Sequence, residues 1–397
     1  EKLVEAAAYF EQAIELDPAF ALAYVGLSDS YQLQTVYSDL PQAKMNALSK
    51  NAINMALTLN DNLAEAYASL GLLRQNNHDY GGAKVAYLKA MTLNANYATT
   101  YHWYGTLLEE LGKVTKASVQ MQKALTLDPL SIIINAGVAS YHAKLGRYDE
   151  AMRQFEKIIE IDPTVAQGYF GKAHLYWAVY GQLNEAVPWL RKTVSVDPNS
   201  PQYSSFFGGL YLSLGDNKRV DCWLDRAMKL SPEGLFPNLL MTYLHATRDE
   251  NDLALLYARK THKISPTNRD ALIFIRDHDL RSGSYDEARS RYELSYPALL
   301  KEDQPTINRK NFDIAIDLAY VLQLSGEKER ADILLERSLE FIRGGIPRLD
   351  FDGYKINDVR IYAMQGEKQQ ALTALRQAID EGWRVGWWYF MVIDPSL

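Results

Sequence analysis

Small and hydrophobic residues recur along this chain with helical spacing, in blocks that repeat. Between residues 99 and 129, Tyr101, Tyr104, Gly105 and Leu108 fall at i, i+3, i+4 and i+7, one face of an amphipathic helix. Gly112 follows and supplies the left-handed conformation that closes a helix. Ala117, Met121 and Ala124 then mark the inward face of a second helix. Asp128-Pro129 stops it, because proline lacks an amide donor and clashes with a continuing turn. The prolines of later Asp-Pro and Ser-Pro pairs (Pro129, Pro163, Pro198, Pro232 and Pro266) step by 34, 35, 34 and 34 residues. Gly112, Gly146, Gly181, Gly215 and Gly283 keep the same phase, and Asn60-Asp61 and Asn94-Ala95 hold the register upstream without the proline. Tyr148-Asp149-Glu150-Ala151 and Tyr285-Asp286-Glu287-Ala288 repeat one device, in which Asp149 and Asp286 read as caps of the second helix.

Two antiparallel helices approach closely only where a small side chain faces a bulky one. The first helices carry Gly71, Gly105, Ala139, Ala173 and Gly208 at one phase. The second helices carry Ala83, Ala117, Ala151 and Ala186, each followed four places on by Tyr87, Met121, Phe155 and Leu190. Ala288 with Tyr292, Ala331 with Leu335 and Ala371 with Leu375 continue the series. This pattern resembles the tetratricopeptide repeat. The resemblance implies an all-α fold, an α-solenoid: a right-handed superhelix of about ten helix pairs.

The period also marks its own interruptions. Lys2 to Asp17 reads as an orphan second helix, so the chain is expected to open mid-repeat. The unit from Ala21 to Asp61 is long, with Leu40-Pro41 starting its second helix late. We expect a regular array over 1–296, an irregular linker over 297–311, two further helix pairs over 312–380, and a Trp-rich cap over 381–397. Gly344-Gly345-Ile346-Pro347 reads as a loop between those last pairs. The tail carries Ala378, Ile379, Glu381, Gly382, Trp387-Trp388 and Asp394-Pro395-Ser396-Leu397. It resembles the end of arrays in bacterial signalling proteins, where the repeats follow a winged-helix regulator, a nucleotide cyclase or a kinase. That likeness implies an array trimmed at its C-terminal end as well. The cap is expected to cover the exposed face of the last repeat, as solenoids require.

Composition narrows the function. The chain has 397 residues, 47% of them hydrophobic and 23% charged, and a net charge of -7, which argues against a general nucleic-acid surface. No run of about 18 apolar residues suggests membrane insertion. The single cysteine, Cys222, excludes an internal disulfide and reads as a buried or half-buried thiol without function. No phosphate-binding glycine loop, zinc-protease motif or paired C-x-x-C occurs, and the seven histidines never pair at i, i+4, so no cofactor, metal or catalytic activity is expected. Asp277, His278 and Asp279 are consecutive on a helix and read as surface residues, and Pro188 reads as a first-turn proline.

In the family this chain resembles, first helices line a concave groove. The stripe alternate to the packing residues then faces a partner. It places His102, Gln167, Phe170, His174, Trp177, Gln202, Phe236 and Tyr243 as partner-binding residues, with the aromatics as anchors and the glutamines as backbone hydrogen-bonders. The family's clamp for chaperone C-terminal carboxylates needs Lys and Asn on this stripe. His102, Thr106, Ala136, Ser140, Phe170 and His174 stand there instead, which argues against such a clamp. The expectation is a non-catalytic protein-interaction module that binds a peptide or helix, belongs to a larger bacterial signalling protein, and can self-associate through its ends. A substrate-selecting array of a larger enzyme such as a glycosyltransferase, or an assembly scaffold, are the alternatives. The absence of disulfides fits the cytoplasm, with the periplasm as the alternative.

Overall fold

Every regular element among the described residues is a helix. The computed structural model describes residues 2–37, 42–344, 347–349, 353–384, 386–387, 389 and 394. The expected late start at Leu40-Pro41, the centre of the loop at Gly345-Ile346, Trp388 and Pro395-Ser396-Leu397 lie outside them.

One unpaired helix, α1 (Lys2–Leu16), leads. Antiparallel pairs follow: α2 (Ala21–Tyr37) with α3 (Gln42–Leu59), α4 (Ala64–Asn76) with α5 (Tyr80–Leu93), and α6 (Ala98–Glu110) with α7 (Val114–Leu127). Next come α8 (Ile132–Lys144), α9 (Tyr148–Ile161), then α10 (Ala166–His174), which runs into a π-helical turn at Leu175–Val179, with α11 (Leu183–Val196). The pairs α12 (Pro201–Ser213) with α13 (Asn217–Leu230), α14 (Leu235–Thr247) with α15 (Asn251–Ile264), and α16 (Arg269–Arg281) with α17 (Tyr285–Ser295) continue the series. A short α18 (Ala298–Lys301) precedes α19 (Phe312–Leu324) with α20 (Lys328–Arg343) and α21 (Asn357–Met364) with α22 (Lys368–Asp380). The described helices pack as consecutive antiparallel pairs, the arrangement of an α-solenoid, and the orphan first helix is present.

The packing follows the small-against-large rule. A Cβ on Gly71 would lie 2.6 Å from the Tyr87 ring, so the first and second helices of that pair touch through a missing side chain. A second set of contacts joins successive pairs: a Cβ on Gly171 would lie 2.2 Å from the ring of Phe155, on the preceding helix α9. The sequence pattern marks Ala173, two residues on, as the small residue of the first helix, for packing within the pair.

The 35-residue step among the regular repeats also has a structural cause. Gly146 to Gly181 spans 35 residues, and the extra residue is absorbed in the π-helical turn, where the Tyr180 amide donates to the Leu175 carbonyl five residues back at 2.9 Å. Such bulges often mark functional positions, and this one carries Trp177.

Several local expectations need correction. Asp149 and Asp286 do not cap their helices. They sit inside the first turns of α9 and α17, where their carboxylates face the dipole, and Arg147 and Ser284 occupy the cap positions without side-chain caps. Asp79 and Asp216, two places earlier in phase, do cap, accepting from the Gly82 and Arg219 amides. Pro188 lies in the second turn of α11, so the Asn184 carbonyl loses its helical donor. Cys222 is exposed.

Contacts divide the chain into two compact units, Glu1–Tyr141 and His142–Leu397. In the first, bonds join successive pairs, as where Gln32 donates to the Ser69 carbonyl at 3.2 Å and Gln75 to Thr106 at 3.3 Å. The second unit departs from the neighbour-only contacts of a simple solenoid. Its C-terminal segments fold back on its early helices: Tyr148 donates to the Leu349 carbonyl at 2.7 Å, and the Trp387 indole to the Ser213 carbonyl at 3.2 Å. Trp383, Tyr389 and Asp394 are buried there. The described part of the Trp-rich end therefore packs against earlier pairs as well as the last one.

The turn glycines test this closure. Gly215 has φ +74° and open space around its missing Cβ, whereas Gly181 has φ +63° and a Cβ there would lie 2.4 Å from the Gly382 carbonyl oxygen. Gly215→Ala should cost about 1 kcal/mol, the left-handed backbone penalty alone. Gly181→Ala adds a clash with backbone and should cost about 2–4 kcal/mol. Urea melts of the two variants side by side check the order.

Candidate functional site

The second unit encloses a cavity of about 480 Å³ with two chemically different sides. One is aromatic. Phe206 on α12 stands at its centre, with ring centroids 5.0 Å from Phe170 on α10, 6.5 Å from Trp177 on the π-helical turn and 6.0 Å from Phe236 on α14. Tyr243, two turns further along α14, lies 6.0 Å from Phe274 on α16, which in turn meets Tyr389 at 5.3 Å. Trp177, Phe206, Phe236 and Tyr243 are half-buried, whereas Phe274, Phe312 and Tyr389 are buried. First-helix residues from four successive pairs thus make one continuous aromatic surface.

The other side is ionic. Asn268 caps α16 by accepting from the Ala271 amide at 3.0 Å, which fixes the start of the helix and places Arg269 and Asp270 on the cavity wall. Tyr243 donates its hydroxyl to Asp270. Burial, then the Asp270 charge, pushes the Tyr243 phenol well above its ordinary range. Arg269 pairs through Nε with Asp313 at 2.9 Å. Burial raises the Asp313 carboxyl, and Arg269 opposes that rise. Arg309, supplied by the segment before α19, donates Nη2 to the Lys144 carbonyl at 3.0 Å. Its Nε and Nη1, and Nη2 of Arg269, are buried without a hydrogen-bond partner. Each such donor costs on the order of 1–3 kcal/mol when left unpaired.

Next to this wall runs a buried ion network. Asp317 on α19 accepts from Arg276 on α16 at 2.9 Å and from Arg360 on α21 at 2.7 Å. Arg276 also binds Asp277 at 2.6 Å, and Arg360 binds Asp394 at 3.1 Å. Tyr389 donates to Asp277 at 2.7 Å. The surface assignment of Asp277 and Asp279 is therefore wrong: both are buried, Asp279 with Arg291 as its partner, and only His278 between them is part-exposed. Charge on three consecutive helical positions suggested solvent, but the adjacent Arg276 neutralises Asp277, which also accepts from Tyr389, and Arg291 of α17 neutralises Asp279.

Of the residues placed on the partner stripe, the structure brings Trp177, Phe236 and Tyr243 to the cavity wall. Phe170 joins through Phe206, and His174 stacks on Phe170 at 6.2 Å. Burial, then the charge of Lys355, holds the His174 imidazole well below its ordinary range. Gln167 is exposed and Gln202 half-buried, and neither lines the cavity. His102 lies in the first unit, on α6, with its imidazole also pushed down by burial. On α12 the stripe read from the sequence names only Gln202; Phe206, four places on and so on the same face, completes it. Arg269, Arg309 and Asp313 were missed because nothing local joins them. Among the described residues no group of three His, Cys, Asp or Glu side chains is arranged to hold a metal, and no helix is long and apolar enough to cross a membrane.

The family model of the tetratricopeptide repeat matches residues 98–129 and 135–165. Several solved structures are similar to this chain. A tetratricopeptide repeat protein from Parabacteroides merdae is 18% identical over 60% of this chain and 93% of its own, with a TM-score of 0.48. Pseudomonas aeruginosa PilF is 16% identical over 53% of this chain and 96% of its own, with a TM-score of 0.42. A thermophilic tetratricopeptide repeat protein from Thermus thermophilus is 21% identical over 44% of this chain and 94% of its own, with a TM-score of 0.40. No curated protein matches the chain. Repeats of this type generally serve protein–protein interaction or scaffolding and are not themselves catalytic.

Proposed function

We propose that this chain, as a tetratricopeptide-repeat α-solenoid, is a non-catalytic interaction module that docks a peptide or helix on the first-helix faces of its second unit. The observation that carries this reading is the continuous aromatic surface of Phe170, Trp177, Phe206, Phe236 and Tyr243. Half-buried aromatics are the side chains that anchor protein segments, because they offer large apolar area at small conformational cost. Gln167 beside Phe170 is free to hydrogen-bond an extended backbone at the rim. The signalling context rests on the tail resemblance, supported by the burial of Asp394 against Arg360, which gives the aspartate of that motif a structural task.

The test is a double substitution, Trp177→Ala with Tyr243→Ala, measured against a partner segment selected on the intact chain from a random-peptide display. Anchor truncations often cost about 2 kcal/mol or more, so affinity should fall about thirtyfold or more while helicity by circular dichroism is kept. Normal binding by the folded double variant would move the docking site elsewhere.

A further inference from the structure

We infer that the outward faces of α3, α5 and α7, in the first unit, dock on the surface of an anionic lipid bilayer. This goes beyond the docking of a protein segment by the second unit. It starts from a segregation of charge. Lys44 and Lys50 stand on α3, Lys84 and Lys89 on α5, and Lys116 and Lys123 on α7. These three helices contain no Asp, Glu or Arg. Their pair partners α2, α4 and α6 hold the opposite sign, with Asp29, Glu65, Glu109 and Glu110 against Arg74 alone. The second helices before and after them in the chain are acidic too: α1 has three acids to one lysine, and α9 four acids to two bases. In a chain of net charge -7 the basic stretch is a bounded exception.

Packing keeps those lysines outside. The first helices α2, α4 and α6 touch in succession, and α3 and α5 each lie against two of them. Ala83, Ala86, Tyr87 and Ala90 turn one face of α5 inward, which leaves Lys84, Val85, Leu88 and Lys89 exposed on the other. Ala117, Met121 and Ala124 do the same for α7, which leaves Lys116, Val119 and Lys123 exposed. Lys44, Lys50 and Met55 of α3 are exposed as well. Among the described residues none of the six lysines has an ion-pair partner, and Lys89 has only the Tyr67 ring, 5.8 Å from its ammonium. Val85 is 64% exposed and Val119 61%, so apolar side chains stand between the charges.

The make-up of this face selects its partner. Unpaired lysines with no acid among them attract an anionic surface. Protein interfaces favour arginine and the large aromatics and are poor in lysine. Nucleic-acid sites likewise draw on guanidinium groups and stacked rings. No exposed residue of α3, α5 or α7 is an arginine or an aromatic. A bilayer needs neither: ammonium groups meet lipid phosphates as point charges, and short apolar side chains enter the boundary of the acyl chains. Each lysine close to an anionic bilayer strengthens binding about fivefold. The contact is with the surface, since no described helix is long and apolar enough to cross a membrane.

Sedimentation of the full chain with vesicles of phosphatidylcholine alone, and of phosphatidylcholine with phosphatidylserine, tests this. The chain should pellet with the anionic vesicles and not with the neutral ones, and binding should weaken as salt is raised. A variant combining Lys50→Gln, Lys84→Gln, Lys89→Gln and Lys123→Gln should bind at least about thirtyfold more weakly, with helicity by circular dichroism kept. Val85→Ser with Val119→Ser should weaken vesicle binding at least about threefold. Soluble polyglutamate is the probe for an acidic protein. Failure to pellet with anionic vesicles, equal pelleting with neutral ones, or parental binding by the lysine variant would overturn the inference. Binding of polyglutamate together with parental pelleting of the valine variant would also overturn it, in favour of an acidic protein partner. Each of those results leaves the aromatic docking surface of the second unit standing, since α3, α5 and α7 take no part in it.

Discussion

Asp317→Ala should destabilise the second unit by about 3–5 kcal/mol, the largest effect expected of any single substitution considered for this chain. Asp317 is fully buried and accepts from Arg276 at 2.9 Å and Arg360 at 2.7 Å, with Arg269 3.6 Å away. Removing its carboxylate leaves buried guanidinium groups short of a counter-charge, and burying an uncompensated charge is what makes broken buried pairs costly. The remaining acids do not replace it: Asp277 is held by Tyr389 and Arg276, and Asp394 by Arg360. The loss spreads because Asp317 of α19 ties α16 to α21, and the network includes Asp394 of the C-terminal segment. The measurement is a urea melt with circular dichroism, Asp317→Asn beside Asp317→Ala. The asparagine keeps the shape and an acceptor but loses the charge, so it should recover only a small part of the loss. A midpoint unchanged in the alanine variant would show that the network adds nothing to stability.

The second large effect is a pH dependence centred on Asp29 of α2. Burial pushes its carboxyl up to about 7, against which the hydrogen bond from Ser69 works only in part. The group is therefore protonated in the native state at pH values where the unfolded chain, near 3.9, has already ionised. Ionisation of the native state works against folding. The first unit should be most stable below about pH 4, lose stability progressively as pH rises to about 7, and change little above that. A separation of about three pKa units corresponds to about 4 kcal/mol at full extent. Asp29→Asn keeps an acceptor for Ser69 and cannot ionise. At pH 8 it should be more stable than the parent by up to about 4 kcal/mol, and near pH 4 the two should coincide. Urea midpoints across that interval settle it, and a pH-independent difference would mean that Asp29 does not titrate as its burial requires.

The sequence by itself determined the repeat. Helical spacing, a turn glycine and a stop proline act within one pair, and the phase of Gly112, Gly146, Gly181, Gly215 and Gly283 survives as positive φ at every one of them. Where that glycine is missing, His78 and Asp249 take the same conformation at φ 61° and 58°, so the phase outlasts its usual residue. The ten pairs, the orphan first helix and the aromatic character of the stripe from Phe170 to Tyr243 were all legible for this reason: each depends on residues a few positions apart on one helix or its hairpin partner. The tertiary structure decided what lies further apart in sequence. It set the return of Leu349, Trp387 and Tyr389 onto early helices of the second unit, the meeting of Arg276, Asp317, Arg360 and Asp394, and the pairing of Arg269 with Asp313 beside Arg309. A charged residue reads as solvated until its partner is known, as Asp277 did. Local periodicity carries no information about a partner more than 40 or 110 residues away, such as Asp317 for Arg276 or Tyr389 for Asp277. Cavity and ion network arise where distant segments converge, so their residues were visible in the sequence while their association was not.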